Sequence, residues 1–208
     1  MVRLAGLPSG AGNGRPVGRR DDPPRIGVLA EQGGFASHLE HVASVGAVGS
    51  EVREPGGLDG LDGLILPGGE STTISKALAR DGLDDAVVEF AKSGRPVLGT
   101  CAGMILLGRE GLGLLDVSVR RNAFGRQLAS FEDRVEIPAL APGGPFPAIF
   151  IRAPWIEDAG AGVEVLAAID GHPIAAREGG VIALSFHPEL SGDDRIHGSF
   201  ARLCSEAR

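Results

Sequence analysis

Three short apolar runs, each stopped by a turn and each followed by residues at helical spacing, constrain this chain more than anything else in it. R-I-G-V-L-A (Arg25–Ala30), L-D-G-L-I-L (Leu61–Leu66, stopped by Pro67-Gly68-Gly69) and P-V-L-G-T (Pro96–Thr100) have the length and continuity of strands buried on both faces. After the first, Phe35, Leu39, Val42 and Val45 recur at helical spacing until Gly46 ends the pattern. After the second, Glu70-Ser71-Thr72-Thr73 opens a helix with residue types that suit an N-terminus, and Leu83–Ala91 reads as a further helix ended by Ser93-Gly94. After the third, Ala102–Arg109 reads as a helix. Strands that alternate with helices predict an α/β fold: a three-layer, mixed but mostly parallel sheet with helices on both faces. Beyond Gly113 the rhythm changes. Val117–Val119, Val135–Ile137, Ala148–Ile151, Val163–Ala167 and Val181–Phe186 are short β-like runs with little helix between them, so the second half is expected to add mixed or antiparallel strands. A last helix, Arg195–Cys204, closes the chain, and no internal repeat is visible.

A length of 208 residues with 43% apolar side chains suits one domain with a real core, placed here at residues 25–208. Residues 1–24 are rich in Gly, Pro and Arg and lack periodicity. They are read as a flexible extension, because they hold too few apolar groups to offset the cost of ordering. No apolar centre of a signal peptide is present there, and Arg19-Arg20 is followed by Asp21-Asp22-Pro23-Pro24 rather than an apolar segment. The net charge of −7 argues against nucleic acid and against an anionic membrane surface, and no run approaches the roughly 20 apolar residues that would span a bilayer. The two cysteines, Cys101 and Cys204, are far apart and lack metal or redox spacing, which points to free thiols in a reducing, cytoplasmic setting.

Cys101 follows the third strand, with Gly99 and Gly103 two residues to either side. G-x-C-x-G is the cysteine form of the sharp strand-to-helix turn that projects a nucleophile from the carboxyl edge of a sheet. The helix start behind it supplies N–H groups and partial positive charge, both of which favour a thiolate and an oxyanion. Taken alone, the pentapeptide fits a small buried cysteine equally well. A thiol nucleophile needs a base and a group to orient that base. The run V-I-A-L-S-F ends in His187-Pro188-Glu189, and on an extended segment positions 187 and 189 point the same way. Together, a strand-end cysteine and a strand-end His-x-Glu favour a triad. Pro67-Gly68-Gly69 can turn backbone N–H groups toward a substrate carbonyl, although P-G-G by itself is also a plain tight turn. His38 and His41 are spaced for a shared metal but have no third ligand nearby, so no metal is expected, nor any cofactor. Asp193-Asp194 reads as a helix N-terminal acid pair, Trp155 as packing near the site or in the core, and Cys204 as inert.

With these residues in view, the chain resembles the class I glutamine amidotransferases, and within them the glutaminase subunits of pyridoxal 5'-phosphate synthases. The resemblance rests on I-G-V-L-A-E-Q-G, L-P-G-G-E-S-T-T, G-T-C-A-G-M, L-G-L-L-D, R-N-A-F-G-R-Q, F-I-R-A-P and S-F-H-P-E-L, which occur in that order over residues 25 to about 205. It implies hydrolysis of L-glutamine to L-glutamate and ammonia, with Cys101 as nucleophile, His187 as proton shuttle and Glu189 as its orienting partner. It implies glutamine binding by Gly69, Glu70, Ser71, Arg121, Ile151 and Arg152. It also implies an oxyanion hole from Gly69 and Ala102, and a place for Gln32 near the active site and the partner interface. The charges agree, since an arginine suits the substrate's α-carboxylate and an acid its α-ammonium. The implied partner is a (β/α)8-barrel synthase subunit that consumes the ammonia and activates the glutaminase on docking. Two other readings remain: a glutaminase feeding another synthase, such as that for imidazole glycerol phosphate, and a non-catalytic docking module of the same fold. The R-N-A-F-G-R-Q and F-I-R-A-P segments speak against the former and the complete Cys-His-Glu set against the latter. The long N-terminal extension departs from the family's pattern.

Overall fold

The computed structural model describes residues 22–125 and 130–208, so most of the N-terminal extension and Arg126-Gln127 of the R-N-A-F-G-R-Q motif lie outside the described residues. The first half holds the expected elements and one more, the strand β2: β1 (Arg25–Leu29), α1 (Phe35–Ser44), β2 (Val48–Val52), β3 (Gly63–Leu66), α2 (Ser71–Asp81), α3 (Leu83–Lys92), β4 (Val97–Thr100) and α4 (Ala102–Leu107). The second half is β5 (Val117–Arg120), β6 (Ser130–Val135), β7 (Phe146–Ile151), β8 (Trp155–Ala159), β9 (Glu164–Ile169), β10 (His172–Glu178) and β11 (Val181–Leu184), closed by α5 (Arg195–Glu206). The main sheet has the order β2-β1-β3-β4-β11-β10-β9, and two antiparallel pairs, β5-β8 and β6-β7, flank it. β2, β1, β3, β4 and β11 are parallel, while β10 and β9 run antiparallel beyond them. The fold is therefore the mixed, mostly parallel α/β sandwich read from the sequence.

Alternation along the strands sorts side chains into two layers. Ile65, Leu98, Ile182 and Leu184 face one side, where they pack with Val42 of α1 and Ile196, Phe200 and Cys204 of α5. Leu64, Leu66, Val97, Val181 and Ala183 face the other, against Ile74, Leu78, Val87, Phe90, Met104 and Leu107 of α2–α4. All four strand residues of β3, β4 and β11 are buried. Each large side chain among them contributes roughly 1.5–3 kcal/mol on burial. This is why these strands read as unbroken apolar runs.

Strand order reverses between β1 and β3, and the loops that leave the carboxyl ends of β1, β3, β4 and β11 meet there. At the opposite, amino edge the first and last described residues are clasped. Arg208 donates to the carbonyls of Asp22 (2.7 Å) and Pro23 (2.8 Å) and to Asp62 (2.7 Å), and the Pro24 carbonyl accepts from Val48 N–H (2.8 Å).

Candidate active site

Cys101 stands between β4 and α4 in a backbone conformation that a non-glycine residue rarely adopts, φ 49 and ψ −102. Such a residue stores on the order of 1–3 kcal/mol of strain, which the packing around it must hold. The flanking glycines show how. A Cβ on Gly103 would lie 2.0 Å from the Leu66 carbonyl oxygen, and one on Gly99 would lie 2.7 Å from Gly103. Only with both side chains absent can α4 close down on β3 and β4 and turn residue 101 out of the sheet. Its N–H is fixed by the Leu184 carbonyl of β11 at 2.8 Å, and its Sγ lies 3.8 Å from the Ile151 carbonyl. Cys101 is 8% exposed. Cys204, by contrast, is fully buried, and burial pushes its thiol up.

β11 delivers His187, whose backbone N–H is held by Ile149 of β7 at 2.8 Å. Its Nδ1 lies 2.7 Å from Oε1 of Glu189, which sits in a short helical turn, Pro188–Leu190, with its side chain 1% exposed. Burial opposes charge on His187, but hydrogen bonding with Cys101 and Glu189 outweighs it and pushes the imidazole up to about 10. Burial likewise opposes charge on Glu189, and the bond from His187 with the nearby imidazoles still holds it below the usual carboxylate range. The structure thus brings together the three residues singled out in the sequence. Gly68 marks the junction, since a Cβ there would lie 2.4 Å from Cε1 of His187 and 3.3 Å from Cβ of Cys101.

The loop after β3 packs on the loop after β1. A Cβ on Gly33 would fall on the Gly68 carbonyl oxygen, and Gly69 lies against the backbone of the exposed Gln32. Ala102, the first residue of α4, is buried directly behind Cys101. Glu70 fills the helix-opening position that the sequence suggests. Its carboxylate caps α2, accepting from Thr72 N–H (3.2 Å), Thr73 N–H (2.7 Å) and Thr73 Oγ1 (2.6 Å), and the Thr73 bonds lead in holding it at about 2. Ser71 is buried at the start of α2, and Arg121 donates to Thr72 Oγ1 at 3.2 Å. Ser71, Ser75, Ile105, Glu110 and Arg121 wall a cleft of about 260 Å³ between α2 and α4, one helical turn beyond Cys101. A larger groove of about 620 Å³ runs along α5 and shares no residue with this region, so size does not mark the reactive site here. Arg152, next to Ile151, is exposed with φ 45, a second strained residue beside the thiol's neighbour.

The sequence reading missed the histidines behind the triad. His38 is fully buried, and its Nε2 lies 3.3 Å from Glu189 Oε2 and 3.3 Å from Thr100 Oγ1. Its Nδ1 lies 2.9 Å from Nε2 of His197, whose ring stacks on His41 at 4.6 Å. His41 faces Asp194 through Nδ1 (2.5 Å) and the Glu189 carbonyl through Nε2 (3.2 Å). Among the described residues, no group of three ligands is placed to hold a metal. The signal in the sequence was position: His38 sits in the apolar stripe of α1, between Phe35 and Val42, where a charge would not be left.

The SNO glutamine amidotransferase family matches residues 28–206. A Dehalococcoides mccartyi protein named pyridoxal 5'-phosphate synthase subunit PdxT is 50% identical over 189 residues, covering 86% of this chain and 96% of its own. The protein of the same name from Streptomyces coelicolor is 51% identical over 191 residues, covering 88% and 94%. A crystal structure titled glutamine amidotransferase superposes with a TM-score of 0.81 at 45% identity, covering 86% of this chain and 98% of its own. The chain belongs to the SNO glutamine amidotransferase family.

Proposed function

We propose that this chain is the glutaminase subunit of a pyridoxal 5'-phosphate synthase. It hydrolyses L-glutamine through Cys101, His187 and Glu189 and passes the ammonia to a (β/α)8-barrel synthase subunit. The observation that carries the reading is the strained elbow at Cys101, with the His187 imidazole beside it and Glu189 2.7 Å behind. The relatives named PdxT at about 50% identity favour this synthase over one for imidazole glycerol phosphate.

The raised imidazole lets His187 hold a proton beside the sulfur at neutral pH, which favours a thiolate. The thiolate attacks the side-chain amide carbon, a C–S bond forms, and the carbonyl electron pair moves onto oxygen. N–H groups of Gly69 and Ala102 receive that charge. His187 gives its proton to the amide nitrogen, the C–N bond breaks, and ammonia leaves a γ-glutamyl thioester. Water then loses a proton to His187 and attacks the thioester, the C–S bond breaks, and glutamate departs as the thiolate is restored. Glu189 keeps the imidazole aimed throughout. Arg121 and Arg152 suit the α-carboxylate, and Glu70, with Ser71 at the head of α2, suits the α-ammonium. The Ile151 carbonyl borders the thiol, and the exposure of Gln32 beside Gly69 supports a role for it toward substrate and partner. A reducing, cytoplasmic setting is supported by two free thiols, and none of the described helices is long and apolar enough to cross a membrane.

Ammonia release from glutamine, with and without the synthase subunit, tests the reading. Release is expected to rise on adding the subunit, and to vanish in Cys101→Ala while cofactor synthesis from added ammonia persists. Glutamine-dependent synthesis that survives Cys101→Ala overturns it.

A further inference from the structure

Glu189 turns one oxygen to His187, and its other oxygen, Oε2, is buried and has no hydrogen-bond partner among the described residues. The polar atom facing it is Nε2 of His38, 3.3 Å away. A buried carboxylate oxygen without a donor is costly, so the protons on the surrounding rings matter. Burial holds His38 down at about 4 and His197 at about 2, so each ring carries one proton at neutral pH. Two arrangements are open. If His38 carries its proton on Nδ1, the Nε2 lone pair faces the carboxylate and Oε2 has no donor. His197 must then hold an N–H at Nδ1, where no acceptor exists. If His38 carries it on Nε2, that N–H donates to Thr100 Oγ1 while Glu189 Oε2 also lies 3.3 Å from the nitrogen, and Nδ1 accepts from His197 Nε2–H. His197 Nδ1 then keeps only a lone pair unmet, and Glu189 Oε2, though without an aligned bond, faces the N–H side of His38 rather than a lone pair, which costs less than the first arrangement. The second arrangement wins.

We infer that His38 is a positioning residue for glutamine hydrolysis: its Nε2–H faces the second oxygen of the Glu189 carboxylate at 3.3 Å and holds it electrostatically, and His197 fixes the tautomer that puts the proton on that side. The inference rests on the reading of Cys101, His187 and Glu189 as the triad. A carboxylate bonded to His187 through Oε1 and facing an N–H dipole at Oε2 is held in place, and it stays ionised while His187 charges and discharges. The groups that face Glu189 are His187 from its own strand end and His38 from α1; His41, tethered to Asp194 at the head of α5, reaches only its backbone carbonyl. Those that face His38 are Glu189, His187, His41 and His197, with Thr100 from β4.

The test uses the chain in complex with its synthase subunit. kcat and KM for glutamine are measured across pH, with melting temperature and the pH dependence of Cys101 alkylation by iodoacetamide as companions. A hydrogen bond to a charged group is worth roughly ten- to hundredfold, and the longer, unaligned contact from His38 falls at the lower end, so a loss of about tenfold in kcat is expected for His38→Leu. KM should stay within about twofold, and the acid limb of the rate profile should move to higher pH because Glu189 takes up a proton more readily. His38→Gln, whose amide can place an N–H near the Nε2 position, should recover most of the rate and the original limb. His197→Phe keeps the stacking on His41 but frees the tautomer, and is expected to move the limb in the same direction by less. It serves as the deciding variant if His38→Leu does not fold. A folded His38→Leu with wild-type kcat and limb overturns the inference, as do equal losses in His38→Leu and His38→Gln with the limb unmoved, or His197→Phe with no shift. Activity surviving in Cys101→Ala would instead overturn the triad reading itself.

Discussion

Gly68→Ala tests the geometry of the site with one methyl group. The new Cβ would stand 2.4 Å from Cε1 of His187, 3.0 Å from its Nδ1 and 3.3 Å from Cβ of Cys101. Carbon atoms rest about 3.5–4.0 Å apart, so the imidazole must retreat by roughly 1.1 Å or more, away from the sulfur. Retreat drags Nδ1 off its 2.7 Å bond to Glu189 as well. A displacement near 1 Å among reacting groups costs about a hundredfold in rate. The backbone itself tolerates the change, because φ of Gly68 lies outside the left-handed region. The loss should therefore fall on kcat for ammonia release, with the melting temperature lowered by only a few degrees. Gly56→Ala, where a Cβ meets open space, is the control and should change neither quantity. A folded Gly68→Ala protein with kcat within twofold of wild type would refute the placement of the imidazole against the loop after β3.

The other expected outcomes concern stability. Gly103→Ala drives a Cβ to 2.0 Å from the Leu66 carbonyl, a backbone atom that cannot yield, so chemical unfolding should show a loss at or above the roughly 1–3 kcal/mol of an overpacked core; an unchanged urea midpoint would contradict the packing of α4 on β3. His38 and His197, held below their ordinary 6.5, stay uncharged in the folded protein while the unfolded chain takes up a second proton on each ring, so stability falls as pH drops from 6.5 toward 4, by up to about 1.4 kcal/mol per pH unit for each ring. Glu189, held below its usual range, adds a loss of the same sign on acidification, whereas the contribution of His187, complete below 6.5, disappears as pH rises toward 10. Urea midpoints should thus peak between these limits and fall on both sides, and a flat profile between pH 6.5 and 4.5 would refute the neutral, buried rings.

What could be read from the sequence followed burial. β1, β3, β4 and β11 are covered on both faces and show as apolar runs, and the groups placed by their carboxyl ends, Cys101 and His187 with Glu189, were legible with them. β2 (V-G-S-E-V) is an edge strand with four of five residues at least partly exposed, so it carries no pattern. β8 shows a polar E-D-A end, and β10 contains Pro173 and an irregular register against β9, each masking a strand. The expected run at Val135–Ile137 lies instead at Ser130–Val135, because that ribbon is mostly exposed and pairs through its backbone with β7. The spacing of His38 and His41 looked like a metal pair; across more than 140 residues of chain, folding gave them Glu189, Asp194 and His197 as partners, which no local window contains.

The clasp of Arg208 on Asp22 and Pro23 has a practical corollary. β1 runs from that clasp to the reactive rim, and its five residues set the two roughly 16 Å apart. A fluorophore, affinity handle or tether joined at Asp22 or after Arg208 emerges on the far side of the molecule, and so leaves the mouth over Cys101 clear for glutamine.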